Sequence, residues 1–457
     1  MSDFVIRGAL VLTGEGPRPV DVSVRDGLLE AVGKVPETGL ETVRAAGLWL
    51  LPGAIDAHVH SRDPGLPEKE DFISLTRAAA AGGVTTLVDM PNTVPAVDSP
   101  AVFLEKVERL SDRSLVDFGL WGILRSSSQP DDLLGLLDAG AMGIKALLGY
   151  ALSKEDGRVI YTLDFGQPGI EAPPDYGSLV RLAPVLARVD GVLAVHAEDP
   201  GVLRELERPA DSYAELLAGR PALAEAIAIA ALGQISLATG VRVRVVHISS
   251  ELGLKAARLA QAAGARLDLE TCPHYLWLSA EDAERLGPAM KVYPPVKQPA
   301  DRTALIAAVK DGLIPTVATD HAPHTDEEKL ARSWADTAPG SPGVQMLYLS
   351  CLELARRQGD PWLAARWVAE GPARALKLHP RKGVIAPGAE ADLVLVDPAA
   401  ATVVEPKIMH SRQKHSALDG LRFEFAIRSV WCRGELVAQD GRPVGAPGWG
   451  RLVSPTR

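Results

Sequence analysis

Between residues 55 and 320 the sequence runs eight times through a short apolar or alternating segment, most often followed by an Ala-rich, helix-like one. The short segments are Ile55 to His60, Val84 to Met90, Asp117 to Gly122 and Gly143 to Leu148, then Val192 to His196, Val241 to His247, Arg266 to Thr271 and Pro315 to Asp320. Apolar runs of this length read as buried strands. The periodic stretches between them, such as Phe72 to Ala81 and Pro221 to Thr239, read as helices. Strands alternating with helices build a parallel sheet. Eight units suit a closed (β/α)8 barrel better than a doubly wound open sheet.

The two ends differ from this middle. Phe4 to Ile6, Ala9 to Leu12, and Val20 to Val24 followed by Asp26-Gly27 and Leu28 to Val32 read as short strands with a hairpin turn. Ala391 to Val396, Ile427 to Cys432 and Glu435 to Ala438 read alike. Each β-rich end is too small for a good core. The expectation is one composite β-sandwich built from residues 1–52 and 379–457, with the barrel at 53–378.

Composition narrows the function. The net charge is -10 with no basic stripe, which argues against nucleic acid or an anionic membrane as a main partner. No run reaches the ~18–20 uninterrupted apolar residues of a membrane helix. The N-terminus is too polar for a signal peptide. Cys272, Cys351 and Cys432 are odd in number and far apart, so no disulfide framework follows, and a reducing cytoplasm is the expected home.

Barrel enzymes place their chemistry at the C-terminal ends of the strands. His58 and His60 close the first strand, and period-two alternation points both imidazoles the same way. Lys145 lies in the fourth strand, His196 ends the fifth, His247 the sixth and Asp320 the eighth. A single histidine at a strand end is most often a satisfied polar group. Four of the chain's ten histidines at such ends, with a carboxylate, are a metal-ligand set that suits zinc. Lys145 sits in the apolar run Gly-Ile-Lys-Ala-Leu-Leu. A buried amine has a lowered pKa. In its neutral form it can add carbon dioxide and become an anionic carbamate with an oxygen for each of two metals.

Asp-Ala-His-Val-His (56–60), Lys145, Val-His-Ala-Glu-Asp (195–199), Val-His-Ile-Ser-Ser (246–250), Glu-Thr-Cys-Pro-His-Tyr-Leu (270–276) and Ala-Thr-Asp-His-Ala-Pro-His (318–324) together resemble the amidohydrolase superfamily. The resemblance covers essentially the whole chain. Within the superfamily it is to the cyclic amidohydrolases: dihydroorotase, allantoinase and hydantoinase. It implies that His58, His60 and Asp320 hold one divalent metal, His196 and His247 a second, and carbamylated Lys145 bridges them. Asp320 would also be the general base in the reversible opening of a ring amide. Relatives are commonly dimers or tetramers, so a homo-oligomer is implied.

The loops divide on which ring. Arg62, Asn92 and His324 match residues that bind the substrate carboxylate in dihydroorotases, and a guanidinium suits a carboxylate. Tyr150, five residues after Lys145, matches the oxyanion-directed tyrosine of hydantoinases. The Cys272-Pro-His-Tyr-Leu and Val-His-Ile-Ser-Ser segments resemble allantoinase or hydantoinase more closely. His274 lies where it can orient a substrate. These features rank dihydroorotate first, in pyrimidine biosynthesis, with allantoin or a hydantoin as the alternative. A non-catalytic dihydroorotase-like partner protein is a remote third reading, since all six ligand positions are filled.

Overall fold

The strand Ala54–Val59 is buried along its whole length and pairs in parallel with Val84–Asp89, which pairs in parallel with Asp117–Leu120. Gly122–Ile123 continues the third strand and leads into a second parallel run: Ile144–Leu147, Val192–His196, Arg242–Val245, Leu267–Thr271 and Thr316–Val317. Beyond the eighth strand His321 bridges back to Val59, and its carbonyl accepts from the His60 amide at 2.7 Å. The eight strands therefore close into a barrel. The computed structural model describes residues 3–13, 16–37, 39–330 and 333–456.

The helices lie where the periodicity predicts. Phe72–Ala81 starts at Asp71, whose side chain accepts from the Ser74 amide, and buries Phe72, Leu75 and Ala79. Such a cap contributes about 1 kcal/mol. Ala222–Thr239 ends at Gly240, in the left-handed conformation that glycine adopts at little cost. No uninterrupted apolar run of membrane length occurs here, since Glu215, Arg220 and Glu225 break the segment. Residues 213–239 have the length and hydropathy of a membrane span, although half of the apolar window is buried. Ala228, Ile229 and Leu232 face the protein core. A helix apolar on most of its circumference passes a membrane-length test for the same reason that it packs well.

The two ends of the chain meet in one nine-stranded sheet. Leu393–Asp397 is the seam: it pairs antiparallel with Trp49–Pro52 on one side and with Ala426–Cys432 on the other. The Asp26-Gly27 and Arg433-Gly434 turns both have positive φ at both residues, which matches the twist of the flanking strands. Phe4 stacks on Trp431 with ring centroids 5.5 Å apart, so a side chain from each end shares one core.

Buried ions link this sheet to the barrel. The Lys382 ammonium, fully buried, lies 2.8 Å from Asp117 of the third strand and 2.6 Å from both Glu390 and Asp392. The Arg433 guanidinium adds a second contact to Asp117 at 3.0 Å. Removing one member of a buried ion cluster leaves the others unpaired and costs about 3–5 kcal/mol. Lys382→Met should lower the unfolding free energy by that order in denaturant titration. A midpoint within error of the parent's would show that the cluster does not hold the two parts together.

Candidate metal centre

All six residues singled out at the strand ends line one small cavity at the C-terminal mouth of the barrel, of about 50 Å³. The two imidazoles of the first strand do point the same way. Nε2 of His58 lies 3.3 Å, and Nε2 of His60 3.1 Å, from the same Asp320 oxygen. Nδ1 of His196 lies 2.9 Å from Nε2 of His247. Ligand atoms of His58, His247 and Asp320 all fall within 4.8 Å of one another. Lys145 reaches the same cavity from the fourth strand and is 1% exposed.

The backbone is bent to achieve this. His247 and Asp320 both have positive φ, 42° and 48°, and so does Arg62 at 59°. Non-glycine residues held in this region cost of order 1–3 kcal/mol each and concentrate at functional sites. Asp56 stabilises the arrangement from below: its carboxylate accepts from the Thr319 amide at 3.0 Å and from the Thr319 hydroxyl at 2.5 Å, tying the first strand to the eighth. Gly340 forms part of the wall. A Cβ there would lie 2.2 Å from the Ala322 carbonyl oxygen, and its φ is +144°, so only glycine fits.

The protonation states suit cation binding. Burial pushes His60 down to about 4, only partly opposed by Asp320. Burial also lowers His196 and His247, so these imidazoles are neutral. Burial alone would raise Asp320, but His58, His60 and His247 hold it well below the usual carboxylate range. Burial lowers Lys145 to about 8, partly opposed by Glu270 and Asp320. Nδ1 of His247 is buried without a hydrogen-bond partner. Neutral imidazole nitrogens turned on one another and on an ionised carboxylate, with a polar atom left unpartnered, fit a divalent cation better than they fit each other.

Three of the four histidines are fixed from outside. Glu270 bonds Nδ1 of His58 at 2.9 Å and is itself gripped by Arg244 at 2.7 Å. Asn92 accepts at Oδ1 from Nδ1 of His60, 2.8 Å away. Glu198 bonds Nε2 of His196 at 2.9 Å and is held by Arg220. Each bond sets which ring nitrogen carries the proton and leaves the other as a lone pair facing the cavity. The sequence reading gave these carboxylates no role, although Glu198 and Glu270 stand inside the quoted motifs and near strand ends. Arg220, Tyr161 and Tyr293, which shape the mouth, come from loops and carry no sequence signal.

The residues expected to contact substrate separate into two groups. Arg62, Asn92 and Tyr150 line the cavity. The Tyr150 ring lies 4.6 Å from that of His196, and burial holds its phenol protonated. His324 is not among the lining residues: its Nε2 lies 3.1 Å from the Pro339 carbonyl and 3.4 Å from Arg62 Nη2. His274 faces a separate crevice beside Thr319, Ser341 and Ser416. Its pKa is down to about 4 because burial disfavours the charged form. An exposed imidazole titrates near 6.5. The unfolded chain therefore binds the extra proton, and the stability contributed by neutral His274 is present above pH ~6.5 and lost as pH falls through about 4. In metal-free protein, His274→Gln should flatten the acid-side fall of the unfolding free energy, by up to ~3 kcal/mol. Equal pH slopes in the two proteins would refute neutral burial of His274.

Comparison with known proteins agrees with this architecture. Residues 214–437 match the amidohydrolase family model and residues 47–119 a dihydro-orotase-like model. An allantoinase of Streptomyces avermitilis is 36% identical over 96% of this chain and 97% of its own. A dihydroorotase of Halobacterium salinarum is 34% identical over 96% of this chain and 99% of its own. The solved L-hydantoinase of Arthrobacter aurescens superposes with a TM-score of 0.91 at 28% identity, covering 99% of this chain and all of that one. The chain belongs to the amidohydrolase family, within its cyclic amidohydrolase group, and has that family's barrel with an added β-sandwich.

Proposed function

We propose that this enzyme opens the ring amide of an uncharged five-membered cyclic ureide, with allantoin the first candidate and hydantoins next. The observation that carries this reading is the use the cavity makes of the three carboxylate-clamp residues. Asn92 lines the cavity with its Oδ1 engaged by His60, which leaves its amide hydrogens for a neutral or a charged oxygen alike, and His324 lies off the cavity wall against Pro339. Arg62 is the one cation among the three residues that faces the cavity, and its Nε is turned to the Pro323 carbonyl at 3.3 Å. Tyr150, by contrast, lines the wall beside His196. The full-length similarity to allantoinases supports the same order, which reverses the ranking reached from sequence motifs. Dihydroorotase is the second reading, favoured by Arg62 in the cavity and by the dihydro-orotase-like match at residues 47–119.

In this reading residues 53–378 carry the chemistry, and 1–52 with 379–457 form the supporting β-domain. His58, His60 and Asp320 would hold one divalent cation, zinc by ligand type, and His196 and His247 another. Such ions supply Lewis-acid polarisation of the ring carbonyl and lower the pKa of the attacking water. Lys145 would be shared between them as a carbamate, formed when its neutral amine adds carbon dioxide and loses a proton. Burial of that amine supports this, since it raises the neutral fraction at neutral pH. Asp320 takes the proton from water as its oxygen bonds to the amide carbon. Tyr150 donates its phenolic hydrogen to the carbonyl oxygen as negative charge develops there. When the ring C–N bond breaks, Asp320 returns the proton to the departing nitrogen.

The deciding experiment is a parallel assay of allantoin, hydantoin, dihydrouracil and dihydroorotate with wild type and Arg62→Ala. Allantoin or hydantoin should be the best substrate, and Arg62→Ala should change its kcat/KM less than about tenfold. Dihydroorotate as the best substrate, with a loss of about a hundredfold or more in Arg62→Ala, would establish the second reading instead. Lys145→Ala should lose bound metal and activity together, and a short carboxylic acid should restore part of both. An active, metal-loaded protein whose lysine mass is unmodified would sink the carbamate.

A further inference from the structure

The two halves of the proposed centre are not equally supported. His58 and His60 each have their own outside bond, to Glu270 and to Asn92. His196 and His247 share a single one. Glu198 holds Nε2 of His196, whereas Nδ1 of His247 has no partner. Glu198 uses one oxygen, Oε2, for both His196 and Nη1 of Arg220, and its other oxygen is unpartnered. The orientation of the His196–His247 pair therefore depends on where Glu198 is kept, and Arg220 keeps it.

Arg220 is not a strand residue. It follows the short helix Tyr213–Gly219 and precedes Ala222–Thr239, so neither element fixes its side chain. Its guanidinium is braced by aromatic rings instead. The central carbon lies 3.6 Å from the Tyr293 ring centroid and 5.7 Å from that of Tyr150. Tyr293 lines the inner cavity and also an outer one of about 510 Å³, whose wall includes Arg220. A planar cation stacked on one ring and bonded to a buried carboxylate has little freedom to move.

We propose that Arg220 is a positioning residue that assembles the His196–His247 half of the metal centre. By fixing Glu198 against Nε2 of His196, it directs Nδ1 of His196 toward Nε2 of His247. The other half does not depend on it. The inference rests on the two-metal reading above, and the test separates the two.

Wild type, Arg220→Met, Arg220→Lys and Glu198→Gln are stripped of metal and titrated with zinc against a chromophoric chelator. Wild type should bind two equivalents. Arg220→Met should bind one with unchanged affinity and the second 10- to 100-fold more weakly, the range seen for such outer contacts. Arg220→Lys restores the charge near Glu198 but not the flat stack, and should recover most of the second affinity. In metal-free protein with 15N-labelled histidine, one ring carrying its proton at Nε2 in wild type should become a tautomer mixture in Arg220→Met. A residue that only braces the mouth would leave that signal alone. Two equivalents bound equally well by Arg220→Met, or both sites weakened alike, would overturn the proposal. Should Arg220→Met fail to fold, Glu198→Gln decides: two wild-type affinities there overturn it as well. If wild type binds no stoichiometric zinc, the two-metal reading fails instead.

Discussion

The site depends on burying four imidazoles, a carboxylate and an amine at the mouth of one closed barrel. Burying polar groups is unfavourable unless each finds a partner. Here the outward-facing ring nitrogens of three histidines find theirs in Glu270, Asn92 and Glu198. The inward-facing atoms are left to one another and to whatever occupies the cavity. The outer contacts thus choose the tautomers, and the tautomers make the cavity a candidate cation site. Barrel closure belongs to the same device. The Asp56–Thr319 bonds, across 263 residues of sequence, and the His60–His321 backbone bond join the first strand to the end of the eighth, which brings Asp320 to face His58 and His60.

Stability and chemistry occupy opposite ends of the same strands. Asp117 starts the third strand, at the end away from the cavity, and there it meets Lys382 and Arg433 from the far part of the chain. That division is general for barrels. The Asp117, Glu390 and Asp392 carboxylates at that end gather like a metal-ligand group, but the Lys382 ammonium occupies their centre. The division also gives the composite sheet a mechanical reason to exist. The seam strand Leu393–Asp397 and the ion cluster clamp both chain ends onto the base of the barrel, leaving the mouth loops free to differ.

Much of this was legible in the sequence because it is local. Strand length, helix period, the Asp26-Gly27 turn and His-x-His are all properties of short windows. The outer support is not local. Glu198 and Arg220 are 22 residues apart, His58 and Glu270 are 212, and His60 and Asn92 are 32. Such pairs are set by the barrel's closure, which the pattern implies only in outline. The helix Ala222–Thr239 was legible from its period, but which of its many apolar positions face the core, Ala228, Ile229 and Leu232 among them, shows only in the folded chain.

Asn92 shows most clearly where motif and geometry part. Its position after the second strand allows it to bind a substrate carboxylate or to orient His60, and residue type cannot distinguish the two. The 2.8 Å contact to Nδ1 of His60 gives the side-chain oxygen to the histidine and leaves only the amide hydrogens for a ligand. A side chain that donates to a ring carbonyl need not discriminate an anion from a neutral amide. In the proposed reading Arg62 would be the source of charge selection, with His324 drawn toward Pro339 and Glu328. A single guanidinium with one nitrogen already turned to a backbone carbonyl can hydrogen-bond a neutral ureide as readily as it pairs with a carboxylate. In the proposed reading the charge of the ring would be set by how the loops pack Arg62, Asn92 and His324, and not by the motif alone.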